Sequence, residues 1–213
     1  MIPLLDCSQH KVAEIAQRLN VSEYGQLCTP LTGYARIPGL KFGIDNGGFT
    51  TQDPAAFART LKRLESDKAD CKFVVMPDVP GDGRRTLELF HLFKSGLHGW
   101  PLAMAMQDGI EDLDIPWSDL SAIFMAGSGD WKMGTRATNI IKAAKWLGLW
   151  VHVGRISDPR RWKFFEGFVC DSADSSALVR PLPGRMDGLS KMFSGAVEPQ
   201  QLTLEAIDGN EME

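Results

Sequence analysis

Short apolar runs that stop abruptly on polar or glycine-rich tips recur along this chain, and this rhythm restricts its fold more than any other property. Residues 41–44 run into Asp45-Asn46-Gly47-Gly48-Phe49, 73–76 into Pro77-Asp78, and 101–106 into Gln107-Asp108-Gly109. Residues 122–126 then end on Gly127-Ser128-Gly129, 149–153 on Gly154-Arg155, and 168–170 on Asp171-Ser172-Ala173-Asp174. Parallel strands covered on both faces read as unbroken apolar runs, and a barrel of them gathers its functional side chains where the strands end. The tips are therefore predicted to converge on one site.

Helical patterns with their own start signals lie between the runs. Asp53-Pro54 predicts a helix with Phe57, Leu61 and Leu64 on one face, and Ser157-Asp158-Pro159 opens another carrying Trp162 and Phe165. A third follows Gly83 with Leu87, Phe90 and Phe93 or their neighbours inward, and a fourth covers 135–147 with Ile140, Ile141, Ala144 and Leu147. Gly96 and Gly148 read as stops. Ahead of these come a strand at 2–5, a helix at 9–19, a strand at 26–29 and a turn at 30–38. Beyond Leu178 the pattern decays into a Pro181, Pro183, Gly184 loop, one short helix at 189–193 and a frayed tail over 205–213.

The expected fold is α/β, a TIM-like (β/α)8 barrel forming a single domain over 1–213. A full barrel usually takes about 250 residues, so at least one unit should be trimmed or irregular, and the C-terminal end is the weak place. A hydrophobic fraction of 44% supports one packed core. The net charge of −4 argues against a protein held on nucleic acid by overall charge. Local basic groups remain: Arg84, Arg85, Arg155, Arg160, Arg161, Lys163, Arg180 and Arg185 sit in or just after strand-end loops, where a phosphate backbone could reach them. Taken alone, they read as ordinary solvated surface charge.

Cys7, Cys28, Cys71 and Cys170 have no paired spacing and no neighbouring histidines, so neither a zinc site nor a disulfide framework is indicated. A reducing cytoplasm is the expected compartment. The first residues lack a basic leader, and no segment approaches membrane-spanning length.

Sorted by chemistry, the tips offer carboxylates (Asp45, Asp78, Asp171, Asp174), one amide (Gln107) and a glycine turn at Gly127. That set suits a guanine-like base: a carboxylate accepts from an amino group and a ring N–H, while an amide and a backbone N–H donate to a carbonyl. Two further aspartates can then act at the sugar, one attacking the anomeric carbon and one carrying the base's proton. Taken singly each motif has a structural explanation. The Asp-x-Gly-Gly turn can be a tight βα loop, Asp78 beside Pro77 and Pro80 a cap, and Gln107-Asp108-Gly109 a turn. Their joint occurrence, in order and at strand ends, carries the case.

Asp45-Asn46-Gly47-Gly48-Phe49 resembles the Asp-Ser-Gly-Gly-Phe motif of the tRNA-guanine transglycosylases, with asparagine in place of serine. Gln107, Ala126-Gly127-Ser128 and Asp171-Ser172-Ala173-Asp174 follow in the order that family uses, so the resemblance spans roughly 41–178. It implies a TIM barrel that exchanges guanine in a polynucleotide for a 7-deazaguanine, with Asp174 as nucleophile and Asp45 as general base, and no cofactor. By the same resemblance Phe49 stacks on one face of the purine with Val153 or its neighbour on the other. Asp78, Gln107 and the Gly127 backbone read its polar edge, with Asn46, Ser128 and Asp171 beside them. The family's late cysteine and histidine zinc site is missing, as are elements that grip a folded tRNA. That shape is closer to compact bacteriophage and actinobacterial proteins of the superfamily, which favours DNA over tRNA.

Lys132, Arg155 and Arg160 are the expected nucleic-acid contacts, with Trp131 divided between base stacking and packing. Asp171 and Asp174 compete as nucleophile, the Asp-x-x-Asp pattern favouring Asp174. His152, inside a strand, reads as a hydrogen-bonded core residue. Two alternatives stand beside the polymer reading: base exchange or hydrolysis on free nucleosides or nucleotides, and a non-catalytic purine-binding or nucleic-acid-binding barrel. No membrane partner is expected; a homodimer or partner subunit would complete a nucleic-acid groove.

Overall fold

The computed structural model describes residues 1–48, 53–180 and Phe193. Eight strands, β1 (Ile2–Leu5), β2 (Gly25–Cys28), β3 (Phe42–Ile44), β4 (Cys71–Val75), β5 (Leu102–Met106), β6 (Ala122–Met125), β7 (Trp150–Val153) and β8 (Ser172–Asp174), close a parallel barrel in sequence order. Leu4 of β1 closes it, pairing with Gly25 of β2 on one side and Asp174 of β8 on the other. This is the TIM-type barrel expected from the rhythm of apolar runs.

Alternation sorts each strand into two sets. Leu4, Leu27, Phe73, Val75, Ala103, Ala105, Ala122 and Phe124 fill the barrel interior, while Leu5, Met104, Met106, Ile123, Met125, Val151 and Val153 pack outward against the helices. Large and small residues interleave inside, and Gly43 is the clearest case. A Cβ there would lie 2.2 Å from the Phe73 ring, which fills the space. Gly43→Ala should therefore destabilise the protein by about 2 to 3 kcal/mol through overpacking, measured as a shift in the urea midpoint.

The helices are α1 (Gln9–Leu19), α2 (Pro54–Arg63), α3 (Gly83–Phe93), α4 (Gly129–Met133), α5 (Thr135–Trp146), α6 (Pro159–Gly167) and α7 (Ser176–Val179). The sequence signals at α2 and α6 act as expected: Asp53 accepts from the Ala56 N–H and Asp158 from the Arg161 N–H, each at 2.9 Å. Gly148, with φ +74°, ends the α5 turn. On α3 the buried face is Gly83, Thr86 and Phe90, and Phe93 is turned out, 45% exposed. Gly96 is not the stop of α3, since a 3-10 turn (Lys94–Leu97) runs through it.

Among the described residues two further units are irregular, and past β8 these hold only the one-turn α7. No α-helix links β2 to β3, and only 3-10 turns link β5 to β6. Between β2 and β3 an irregular loop takes the helix's place, held by buried Gln26, whose amide donates to Ala35 O (2.7 Å) and accepts from Ile37 N (2.9 Å). The polar side chain thus satisfies loop backbone that no helix ladder pairs. The expected segment at 189–193 lies outside the described residues except for Phe193, whose ring meets Trp162 at 4.6 Å; the 205–213 tail lies wholly outside them.

The eighth strand starts later than the apolar run implies. Phe168 caps α6, and Val169 turns the chain with φ +56°, so Cys170 completes the turn and β8 begins at Ser172. This shift decides which aspartate reaches the site. All four cysteines are free and buried. Among the described residues no helix is long and apolar enough to cross a membrane.

Candidate active site

The C-terminal ends of the strands surround one cavity of about 830 Å³, within the size class of small-molecule sites. Asp6, Asp45, Asp78 and Asp174 line it, after β1, β3 and β4 and at the end of β8, with Gln107, Asp108, Ser128, Arg155 and Arg180 toward the rim. Strand-end residues far apart in sequence thus meet in one place.

Asp45 sits on the floor. Its carboxylate accepts from Gly47 N at 2.9 Å, an Asx turn that Gly47 permits with φ +75°. Burial pushes the Asp45 carboxyl up to about 7, and the carboxylates of Asp174, Asp78 and Asp6 add to the rise against the opposing Gly47 bond. A group at that value holds or releases a proton near neutral pH.

Asn46 is the hub of one wall. Its amide donates to Met76 O (2.7 Å) and Asp78 Oδ1 (2.8 Å), and its oxygen accepts from Gly48 N (2.6 Å). Gln107 donates to Asp78 Oδ2 at 2.6 Å and accepts from Gly81 N at 3.0 Å. Asn46 and Gln107 therefore hold Asp78 from both sides.

Asp174 Oδ1 meets His152 Nε2 at 3.0 Å and accepts from Arg155 N at 3.3 Å. Its Oδ2 takes no hydrogen bond from a described residue. Arg155 adopts φ +60°, a conformation uncommon outside glycine, and its guanidinium donates to Ala126 O and Gly127 O. The loop that presents an N–H to Asp174 is thereby tied back to the end of β6.

On the β1 side, Asp6 accepts from Thr32 Oγ1 at 2.6 Å. Burial raises its carboxyl above the ordinary value, against the Thr32 bond and nearby Arg180. At the rim, Asp108 accepts from Ser128 N (2.8 Å) and Ser128 Oγ (2.7 Å). Partial burial works upward on Asp108, but those bonds outweigh it and hold the carboxyl below its usual value. Ser128 also caps α4, so it lines the rim as a helix cap.

Several expected site residues are placed otherwise. Asp171 precedes β8 at the opposite end of the barrel, where its Oδ2 accepts from Val151 N and Lys145 Nζ, both at 2.7 Å. The late start of β8 sends it there and leaves Asp174 alone at the mouth. Val153 packs outward among the helices, and its neighbour Gly154 faces the mouth, where a Cβ would lie 2.8 Å from Phe124. Gly127 lines the cavity as expected, but its N–H already donates to Met106 O at 2.9 Å. A side chain at Gly127 would collide with Trp131, which packs over it and donates to Glu111 at 3.1 Å. Lys132 is buried, not on a surface that meets phosphate: its ammonium donates to Gly154 O, and burial pushes it down to about 8. Arg160 is exposed on the first turn of α6, away from the cavity lining. Phe49 lies outside the described residues.

No family model matches the chain, and no curated protein matches it. Among solved structures, phosphoribosyl anthranilate isomerase from Thermus thermophilus is 14% identical with a TM-score of 0.44, over 90% of this chain and 96% of that one. The native KDPGal structure is 12% identical with a TM-score of 0.44, over 90% of each chain. The PaMucR phosphodiesterase in complex with c-di-GMP is 12% identical with a TM-score of 0.40, over 68% of this chain and 63% of that one. At such values these likenesses carry no argument about activity.

His152 is the buried, hydrogen-bonded strand residue that the sequence predicts, but its contact with Asp174 was not legible, nor were the places of Asp6, Thr32 and Ser172. Asp6 follows an apolar run as the other tips do, so the same signal was present in residues 2–5. His152 and Ser172 carried none, because their partners come from the neighbouring strand.

Proposed function

We propose that this barrel is a base-exchange glycosyltransferase that replaces guanine in a polynucleotide, DNA in preference to tRNA, by a 7-deazaguanine. The observation that carries the reading is the pair Asp174 and Asp45 in one cavity with contrasting surroundings. Asp174 is anchored through one oxygen with the other open, and Asp45 is desolvated with a proton affinity near neutrality. Such divergence between two carboxyls is what separates nucleophile from acid and base.

In the first step Asp174 Oδ2 forms a bond to C1′ as the C1′–N9 bond breaks, and its electron pair leaves with guanine, which takes a proton from Asp45. In the second, N9 of the incoming base gives its proton to Asp45 and attacks C1′, returning Asp174 as carboxylate. The Asp78 and Gln107 wall is polar, as a purine edge requires, and the cavity is large enough for a base with its sugar. Arg155 and Arg180 at the rim are suitably charged for the flanking phosphates.

One observation favours base exchange or hydrolysis on a free nucleoside or nucleotide. Asp6 and Asp108 share the rim with those arginines, and a net charge of −4 does not attract a polyanion. Incubation of the protein with radiolabelled guanine and duplex DNA, single-stranded DNA, bulk tRNA or guanine nucleosides separates the two. Label entering DNA, and absent with Asp174→Ala, is the expected result; label entering nucleosides alone would replace the polymer reading with the second one.

A further inference from the structure

We propose that a buried chain of donors, Trp150 to Ser172 to His152, aims Asp174 at the sugar carbon, with His152 as its positioning residue; this rests on Asp174 being the nucleophile. Register places the parts side by side. Trp150 and His152 face inward on β7, Ser172 and Asp174 inward on β8, and His152 pairs with Ser172 across the two strands. Trp150 Nε1 donates to Ser172 Oγ at 2.9 Å, Ser172 Oγ meets His152 Nδ1 at 2.8 Å, and His152 Nε2 meets Asp174 Oδ1 at 3.0 Å.

The chain has one direction. Indole N–H only donates, so Ser172 Oγ accepts from Trp150 and its one proton is available to His152 Nδ1, while the carboxylate at Nε2 calls for a donor there. His152 then carries its proton on Nε2 and donates it to Asp174. The opposite tautomer would set a bare Nε2 against a carboxylate oxygen. The imidazole is fully buried between Phe73 and Phe124, with ring centroids at 4.9 and 4.7 Å. Barrel interiors are ordinarily filled with branched aliphatic side chains, and polar groups there are retained at a desolvation cost. The last member of this chain touches a carboxylate at the cavity, which gives the arrangement a use.

With Oδ1 held by His152 and by Arg155 N, the carboxylate cannot turn, and Oδ2 faces the substrate. While the aspartyl ester exists, Oδ1 is its neutral carbonyl oxygen. When the second base displaces Asp174, negative charge returns to Oδ1 and the His152 bond strengthens. The proton stays on His152 throughout. Loss of this donor should therefore slow release of the ester more than its formation.

The experiment compares His152→Phe, His152→Gln and Asp174→Ala in the guanine-exchange assay, with intact-mass analysis and ¹⁵N-histidine NMR of the whole protein. His152→Phe should lower kcat about 10- to 100-fold with KM little changed and accumulate a covalent adduct. His152→Gln, which keeps an N–H near the position of Nε2, should recover part of the rate. Ser172→Ala should show a smaller loss in the same direction if His152→Phe does not fold. A folded His152→Phe protein with normal kcat and no adduct overturns the proposal, as does His152→Gln performing no better than phenylalanine. NMR reads the clamp independently of turnover. His10, His91 and His98 are exposed, so the buried imidazole should stand apart with its proton on Nε2 and shift in Asp174→Ala. An Nε2 without a proton overturns the clamp whatever the activity. Normal exchange by Asp174→Ala, with the Nε2 proton present, instead overturns the nucleophile assignment.

Discussion

Asp174→Asn is expected to lower base exchange by on the order of 10³-fold or more while leaving the barrel folded. The amide oxygen can still accept from His152 Nε2 and Arg155 N, so the contacts that seat the side chain at 3.0 and 3.3 Å survive. What disappears is the second carboxylate oxygen. The amide presents NH₂ in the place of Oδ2, a poor nucleophile for C1′. Thermal melts and single-turnover exchange with labelled guanine check both halves. A folded Asp174→Asn protein with a normal rate would remove the covalent mechanism and leave Asp45 to activate another nucleophile, water included.

Asp45→Asn tests the other carboxyl, and its signature is a pH dependence. The wild-type group is raised from 3.8 to about 7, so the folded protein binds the proton more tightly than the unfolded chain does. Its contribution to stability is therefore fully present below pH 3.8 and is lost as pH rises through about 7, where an ionised carboxylate must sit against three others. Asparagine keeps an oxygen for the Gly47 N–H and carries no charge. The variant should match wild type near pH 4 and exceed it by roughly 2 to 4 kcal/mol at pH 8, the lower figure allowing for water at the cavity mouth. Urea unfolding at the two pH values measures this. Exchange should fall about 10²- to 10⁴-fold and lose its limb near pH 7, because the proton carrier is gone. A variant no more stable at pH 8 than at pH 4, relative to wild type, would mean that Asp45 is well solvated.

Asp45→Asn is thus expected to gain stability and lose activity, as befits a charge buried for chemistry. In the proposed reaction Asp45 sits where a leaving base needs a proton, and the expected cost is stability at neutral pH. Structural polar residues around it are instead closed on one another. Asn46 spends both amide protons and its oxygen on Met76, Asp78 and Gly48, and Lys132 spends its ammonium on Gly154.

The sequence by itself determined the strand-end tips and the barrel they imply, because buried parallel strands must be apolar throughout and turn residues mark where they stop. It also determined the starts of α2 and α6, since Asp-Pro signals act within one helical turn. Register across strands lies beyond such local signals. The Val169 turn that delays β8 is set by backbone conformation and not by the apolar pattern, so only the tertiary structure sent Asp171 to Lys145 at the barrel's far end and Asp174 to the cavity. The inward or outward face of Val153 and His152 followed from the same phase. A histidine in a strand acquires its role from the neighbouring strand, and here β8 supplied both Ser172 and Asp174. Lys132 looked available for phosphate as one letter in a loop, but α4 folds it under Gly154, where its charge serves the backbone.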